Sequence, residues 1–191
     1  MKRITLGAAA LAIATLASAD ASAGESAHKA PFYIQGSPLG TALVFYPGSS
    51  VTVGNVTYSS GGTLGYYRVD AEFGFHISGR ADGLVFGIRQ AILLGWGSGG
   101  ITTGRVGWDI PVALGEEMEL TIGPYAHLGA AYPFNGGDAA FHLGFGVDGK
   151  LFFSHDLGLY LFVRPVELGF NINGNPAVPM LTFAGGLGFA F

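Results

Sequence analysis

From about residue 38 to the last residue, apolar and polar positions alternate with period two, and Gly, Asp, Asn and Pro interrupt the alternation at regular intervals. Period two is the signature of a strand, because successive side chains leave the backbone on opposite faces. The pattern predicts eight strands, near 38–46, 63–78, 83–96, 101–114, 118–132, 138–153, 157–170 and 178–191. No stretch keeps a helical period worth assigning. Each segment reaches or approaches the ~9–11 residues of a tilted membrane strand. The expectation is an all-β, eight-stranded antiparallel up-and-down transmembrane barrel spanning 38–191, with residues 24–37 as a lead-in. An even strand count puts both chain ends on one side, the periplasm if the barrel sits in an outer membrane.

Alternation also sorts the charges. In 138–153 one face carries Phe141, Leu143, Phe145, Val147, Leu151 and Phe153, and the other His142, Asp148 and Lys150. A lipid-facing charge at mid-membrane costs about 2–4 kcal/mol, so the second face must look into the lumen. The same rule turns Arg68, Asp70, Glu72, His76, Arg89, Arg105, Asp109, Glu119 and His127 inward. Gln90 is left on the lipid face. Segment 157–170 sends Arg164 inward and would then put Glu167 into lipid. A bulge at Pro165 repairs this, since proline cannot donate to the ladder and one extra residue restores the phase.

Turn positions fix approximate registers. They place Glu119 opposite Lys150, His127 opposite His142, Glu72 opposite Arg89, Arg89 opposite Asp109 and Asp148 opposite Arg164. Opposite charges meet repeatedly, which predicts an ionic network across the lumen. An eight-stranded barrel is just wide enough for side chains to fill, so the network is expected to close the lumen rather than conduct a solute or proton. Inward Gly74, Gly87, Gly107, Gly144 and Gly186 are expected to leave water-filled gaps.

The connections differ at the two ends. Those near 79–82, 115–117 and 154–156 are short and charged, while 47–62, 97–100, 133–137 and 171–177 are rich in Gly, Asn and Pro. The former suit periplasmic turns and the latter external loops. Within the longest, Val51–Val53 and Val56–Tyr58 flank Gly54-Asn55, a two-residue hairpin turn. These arms would extend strands one and two beyond the membrane. They would offer an unpaired edge at 50–60 to a partner strand, or serve as a plain loop.

Composition narrows the class. Charged residues are 12%, glycine supplies 33 of 191 residues, and there is no cysteine. Disulfides and a lipid-bearing N-terminal cysteine are thereby excluded, and the formal net charge of −4 argues against nucleic acid. At the N-terminus, Lys2 and Arg3 precede the apolar run Ile4–Leu16. Ala21-Ser22-Ala23 then forms a small-x-small cleavage site, with Ala17-Ser18-Ala19 as a competing one. Residues 1–23 read as a secretory signal peptide. Its removal takes Lys2, Arg3 and Asp20, and the charge becomes −5.

In the last strand Leu181, Phe183, Gly185, Leu187, Phe189 and Phe191 share one face, and the chain stops on an aromatic. This ending resembles the C-terminal assembly signal of bacterial outer-membrane barrels, carried here by Phe183, Leu187, Phe189 and Phe191. In architecture the chain is similar to the small eight-stranded superfamily that includes outer-membrane proteins A, X and W. The resemblance implies residence in a Gram-negative outer membrane, contact with its lipid and lipopolysaccharide, delivery by the barrel-assembly machinery and a monomeric state. The expected function is structural or surface-interacting, with a narrow channel and a lipid A-modifying enzyme as alternatives.

Catalytic and metal-binding signals are weak. Ser154-His155-Asp156 has the residue types of a triad, but adjacent side chains diverge and the run reads as a turn. Lipid A deacylases resembling this chain use an outward serine and histidine, whereas His76, His127 and His142 fall inward. No enzyme activity is expected. His127 and His142 could sit side by side in the lumen, but two imidazoles lacking a third ligand read as a hydrogen-bonded pair. No cofactor is expected.

Overall fold

The computed structural model describes residues 26, 28–53, 56–95, 97–114, 118–154, 158–173 and 177–191. Eight antiparallel strands close into one barrel: β1 (Phe32–Val53), β2 (Val56–His76), β3 (Gly83–Leu94), β4 (Gly99–Ala113), β5 (Glu119–Pro133), β6 (Ala140–Phe152), β7 (Leu159–Ile172) and β8 (Val178–Ala190). Closure joins β1 to β8, and Phe32 and Phe191 exchange backbone hydrogen bonds of 3.0 and 2.9 Å at the seam. Both ends of the barrel domain therefore lie at one rim, called here the termini end; the other rim is the loop end. The expected signal peptide with Ala21 and Ala23, the turn residues Glu116, Glu117, His155 and Asp156, the hairpin turn Gly54-Asn55, and Trp96 lie outside the described residues.

The inward and outward assignments match the burial pattern on β2 to β8. The outer surface is apolar from rim to rim. Phe32, Phe75, Phe86, Phe189 and Phe191 are exposed near the termini end, and Phe45, Tyr46, Tyr67, Phe134 and Phe141 near the loop end. Gln90 is accommodated by a polar ring. It donates to the Tyr132 hydroxyl at 3.0 Å and accepts from Thr102 at 2.5 Å, while the two hydroxyls lie 3.2 Å apart.

β1 begins at Phe32, so residues 32–37 are strand and not lead-in. A register shift between Ser37 and Gly40 explains the difference. Tyr33, Gln35 and Ser37 point inward on one phase, and Ala42 and Val44 on the other, so the sequence shows no continuous alternation there. Of the remaining lead-in, Ser26 and residues 28–31 lie under the barrel. Ser26 and His28 are buried, the His28 carbonyl accepts from the Ala81 amide at 3.0 Å, and the His28 ring stacks on Phe152 with centroids 4.1 Å apart. In β7 the register shifts between Arg164 and Glu167, one extra residue at Pro165-Val166, so both charged side chains are buried.

At the loop end β1 and β2 continue past the barrel wall. β1 pairs with β8 only as far as Val44, and β2 pairs with β3 only from Tyr67 onward. Beyond those points the two strands pair with each other out to Val53 and Val56, a two-stranded ribbon without further neighbours among the described residues.

Candidate functional site

The lumen holds the polar side chains that alternation sends inward, in three layers. At the termini end Tyr33, Ala81, Val85, Phe152, Tyr160 and Ala190 pack together, with Ala30 of the folded-back segment among them. At the loop end Ala42, Val44, Tyr66, Leu93, Ile101 and Met180 form a second apolar plug. Between them lie the charges.

Arg68, Arg89, Arg105, Lys150 and Arg164 meet Asp70, Glu72, Asp109, Asp148 and Glu167, and all are buried. Glu167 accepts from Arg68 at 2.7 Å, Arg89 at 2.5 Å and the Tyr125 hydroxyl at 2.6 Å. Arg105 Nη1 bridges Glu72 at 2.7 Å and Asp148 at 2.6 Å. Arg164 pairs with Asp148 at 2.8 Å, Asp70 at 3.2 Å and Glu72 at 3.4 Å. Asp109 pairs with Lys150 and lies 2.8 Å from His76 Nε2. Burying one ion in a low-dielectric site costs several kcal/mol unless attraction and hydrogen bonds repay it. Five cations face five carboxylates here, and buried tyrosines supply further donors: Tyr33 donates to Glu72 at 2.6 Å, and its ring lies beneath Lys150 Nζ at 4.8 Å, while Arg105 Nε and Nη2, Asp70 Oδ1 and Asp109 Oδ1 have no hydrogen-bond partner among the described residues.

Several expected pairings differ. Glu119 stands opposite Phe152 and not Lys150, and it accepts from Ser26 Oγ at 2.7 Å. His127 stands opposite Gly144, yet its ring reaches that of His142 with centroids 5.1 Å apart. Glu72 is opposite Arg89 as expected, but Arg89 turns to Glu167. Arg89 stands opposite Thr103, and Asp109 opposite Gly83, so those two charges do not pair. Asp148 and Arg164 do meet.

The space expected to hold water at Gly74, Gly87, Gly107, Gly144 and Gly186 is instead taken up by protein atoms, and at several inward glycines by rings. Tyr33 covers Gly74, Tyr125 covers Gly146, Tyr160 covers Gly188 and His127 covers Gly144; a Cβ added to Gly146 would lie 2.6 Å from the Tyr125 hydroxyl oxygen. The interior gap between Gln35, Ser37, Asp70, Glu72, Arg89, Phe162 and Arg164 is too small for a water molecule. Tyr33, Gln35, Tyr160 and the two apolar plugs were not singled out from sequence. The signal was present, because each covering tyrosine sits directly opposite its glycine, but it is visible only once the register is known.

The histidine pair has other partners. His142 Nδ1 lies 2.6 Å from Asn171 Oδ1, and Arg89 Nη2 lies 3.2 Å from the His127 ring. Among the described residues no group of three or more potential ligands is arranged to hold a metal.

The structure is similar to the crystal structure of Neisserial surface protein A, with a TM-score of 0.52 and 15% identity, over 88% of this chain and 99% of that one. The two share a closed-barrel fold. The resemblance to small eight-stranded barrels therefore holds at the level of architecture. No protein-family model matches the chain, and no curated protein sequence matches it.

Proposed function

We propose that the protein is a monomeric outer-membrane barrel with a sealed lumen, acting through its surface rather than by conduction or catalysis. The observation that carries this reading is the inversion of an ordinary soluble fold: the charges are inside and paired, and the outside is apolar with aromatic residues toward both rims. Such a surface needs hydrocarbon around it. The termini end faces the periplasm, as its short charged turns suit, and the loop end faces outward. The ribbon of β1 and β2 then projects from the cell surface, and its open edges suit addition of a partner strand.

Reconstitution in planar bilayers tests the sealed state. The expected result is no stepwise conductance at any applied voltage; discrete openings would overturn it in favour of a narrow channel. Recovery of the protein from the outer-membrane fraction, with mobility that changes on heating, tests the location.

A further inference from the structure

The two ring nitrogens of buried His142 have different surroundings. Nδ1 lies 2.6 Å from Asn171 Oδ1. An amide oxygen can only accept, so Nδ1 carries the proton and Nε2 is left with a bare lone pair. That Nε2 has no hydrogen-bond partner among the described residues. Beside it lies a thioether. A Cβ added to Gly169 would sit 3.3 Å from His142 Nε2 and 3.2 Å from Met180 Cε, so the imidazole and the methionine end cover the same spot. His127 is close by register: it stands opposite Gly144, Gly144 opposite Gly169, and Gly169 opposite Met180. Its ring centroid is 5.1 Å from that of His142. Arg89 Nη2 is 3.2 Å from both nitrogens of His127, so it lies along neither lone pair. His127, His142 and Met180 are all buried.

We propose that His127, His142 and Met180 form a binding site for one copper(I) ion, entered from the loop end. Imidazole and carboxylate groups taken alone make no group of three here; the thioether of Met180 supplies the third ligand. Thioether sulfur is soft and selects copper(I), and imidazole suits copper equally. Magnesium and calcium need oxygen ligands, and structural zinc takes four ligands, usually with thiolates among them. All three ligands here are neutral, so a monovalent ion brings the least charge into a buried place. The Glu167 carboxylate, 3.6 Å from His127 Nε2, faces that charge. Asn171 fixes the tautomer and the aim of His142, as partners of metal-bound histidines do. His142 is the third residue of β6, and Asn171, next to last in β7, is only partly buried at the loop rim. The ion therefore enters past Asn171 and stops above the charged layer, held and not conducted. The site does not depend on the membrane placement proposed above.

The test uses the full mature chain folded in mild detergent, without oxygen and with ascorbate, titrated with copper(I) against the coloured chelator bicinchoninate. Heat-modifiable gel mobility confirms that each variant is folded. The wild type should take one ion per chain from the chelator. Met180→Leu keeps the apolar volume of the plug and removes the sulfur; it should weaken binding by at least about tenfold. Asn171→Leu leaves all three ligands in place and should weaken it by about 10–100-fold. His142→Gln should weaken it as well. X-ray absorption at the copper edge should show a sulfur neighbour in the wild type and none in Met180→Leu, a readout that stands even if His142→Gln fails to fold. No uptake by folded wild type, or equal uptake by wild type and Met180→Leu, would overturn the proposal. Zinc(II) taken up as tightly as copper(I) would overturn the choice of metal.

Discussion

Asp109 shows how much one lumen side chain carries. It holds Lys150 and faces His76, and all three side chains are buried. Removing one member of a buried pair leaves an orphan charge, at a cost of about 3–5 kcal/mol. Lys150→Met and Asp109→Asn should each destabilise by roughly that much, and the double variant by clearly less than their sum. Urea unfolding in liposomes, run as a double-mutant cycle, measures the coupling; strict additivity would show that the two do not meet. Alternation alone identified which charges face inward, because an outward charge is so costly. It could not name partners. In a narrow barrel a long side chain reaches across the lumen, so Arg68 of β2 finds Glu167 of β7 and Arg105 of β4 finds Asp148 of β6. The sequence reading paired neighbouring strands only, and it was right where contact happens to be local, as for Asp148 and Arg164.

At the level of the strand, phase decides more than length. The extra residue at Pro165-Val166 lets Arg164 and Glu167 both turn inward. Deleting Pro165 should force one of them toward lipid at about 2–4 kcal/mol, and heat-modifiable folding should be lost, whereas Pro165→Ala should fold because the residue count is kept. Gel mobility before and after heating separates the two. The last strand makes a second case. Phe191 closes the seam with two backbone hydrogen bonds to Phe32, and its ring lies 6.1 Å from that of Phe32. Its deletion should reduce the outer-membrane level of the protein and lower the unfolding temperature; undiminished protein in that fraction would refute the role. Strand existence was legible throughout, and so was the β2–β3 register that sets Glu72 opposite Arg89, but the β3–β4 and β5–β6 registers were not. Gly99 and Gly100 looked like loop because they carry no pattern, yet they belong to β4, and the Tyr132 ring lies over Gly100. That addition moves the β3–β4 turn, and with it Asp109 away from Arg89. At the bulge in β1 the phase reverses, which hid the six residues before Pro38.

For the molecule as a whole, the three-layered lumen predicts which parts are dispensable. The segment that folds under the barrel contributes the contacts of Ser26, His28 and Ala30, but the charged layer lies beyond it. Deleting residues 24–30 should lower stability by about 1–3 kcal/mol through lost hydrogen bonds at Glu119 and Asp82. It should leave bilayers non-conducting. Stepwise current from that variant would mean that the segment, and not the charged layer, is the seal. The difference between the two rims has a further consequence, for how such a chain enters a bilayer. The loop-end connections, 45–66, 95–98, 134–139 and 173–177, contain a single ionisable acid or base, Asp138. Those at the termini end contain Arg80, Asp82, Glu116, Glu117 and Asp156. Dragging one charge to the bilayer centre costs about 2.5–3.5 kcal/mol. A chain that threads its loop end first carries one such toll across, and one that enters the other way carries several. With the membrane placement proposed above, the nearly uncharged loops are expected to lead insertion and the acidic turns to stay behind.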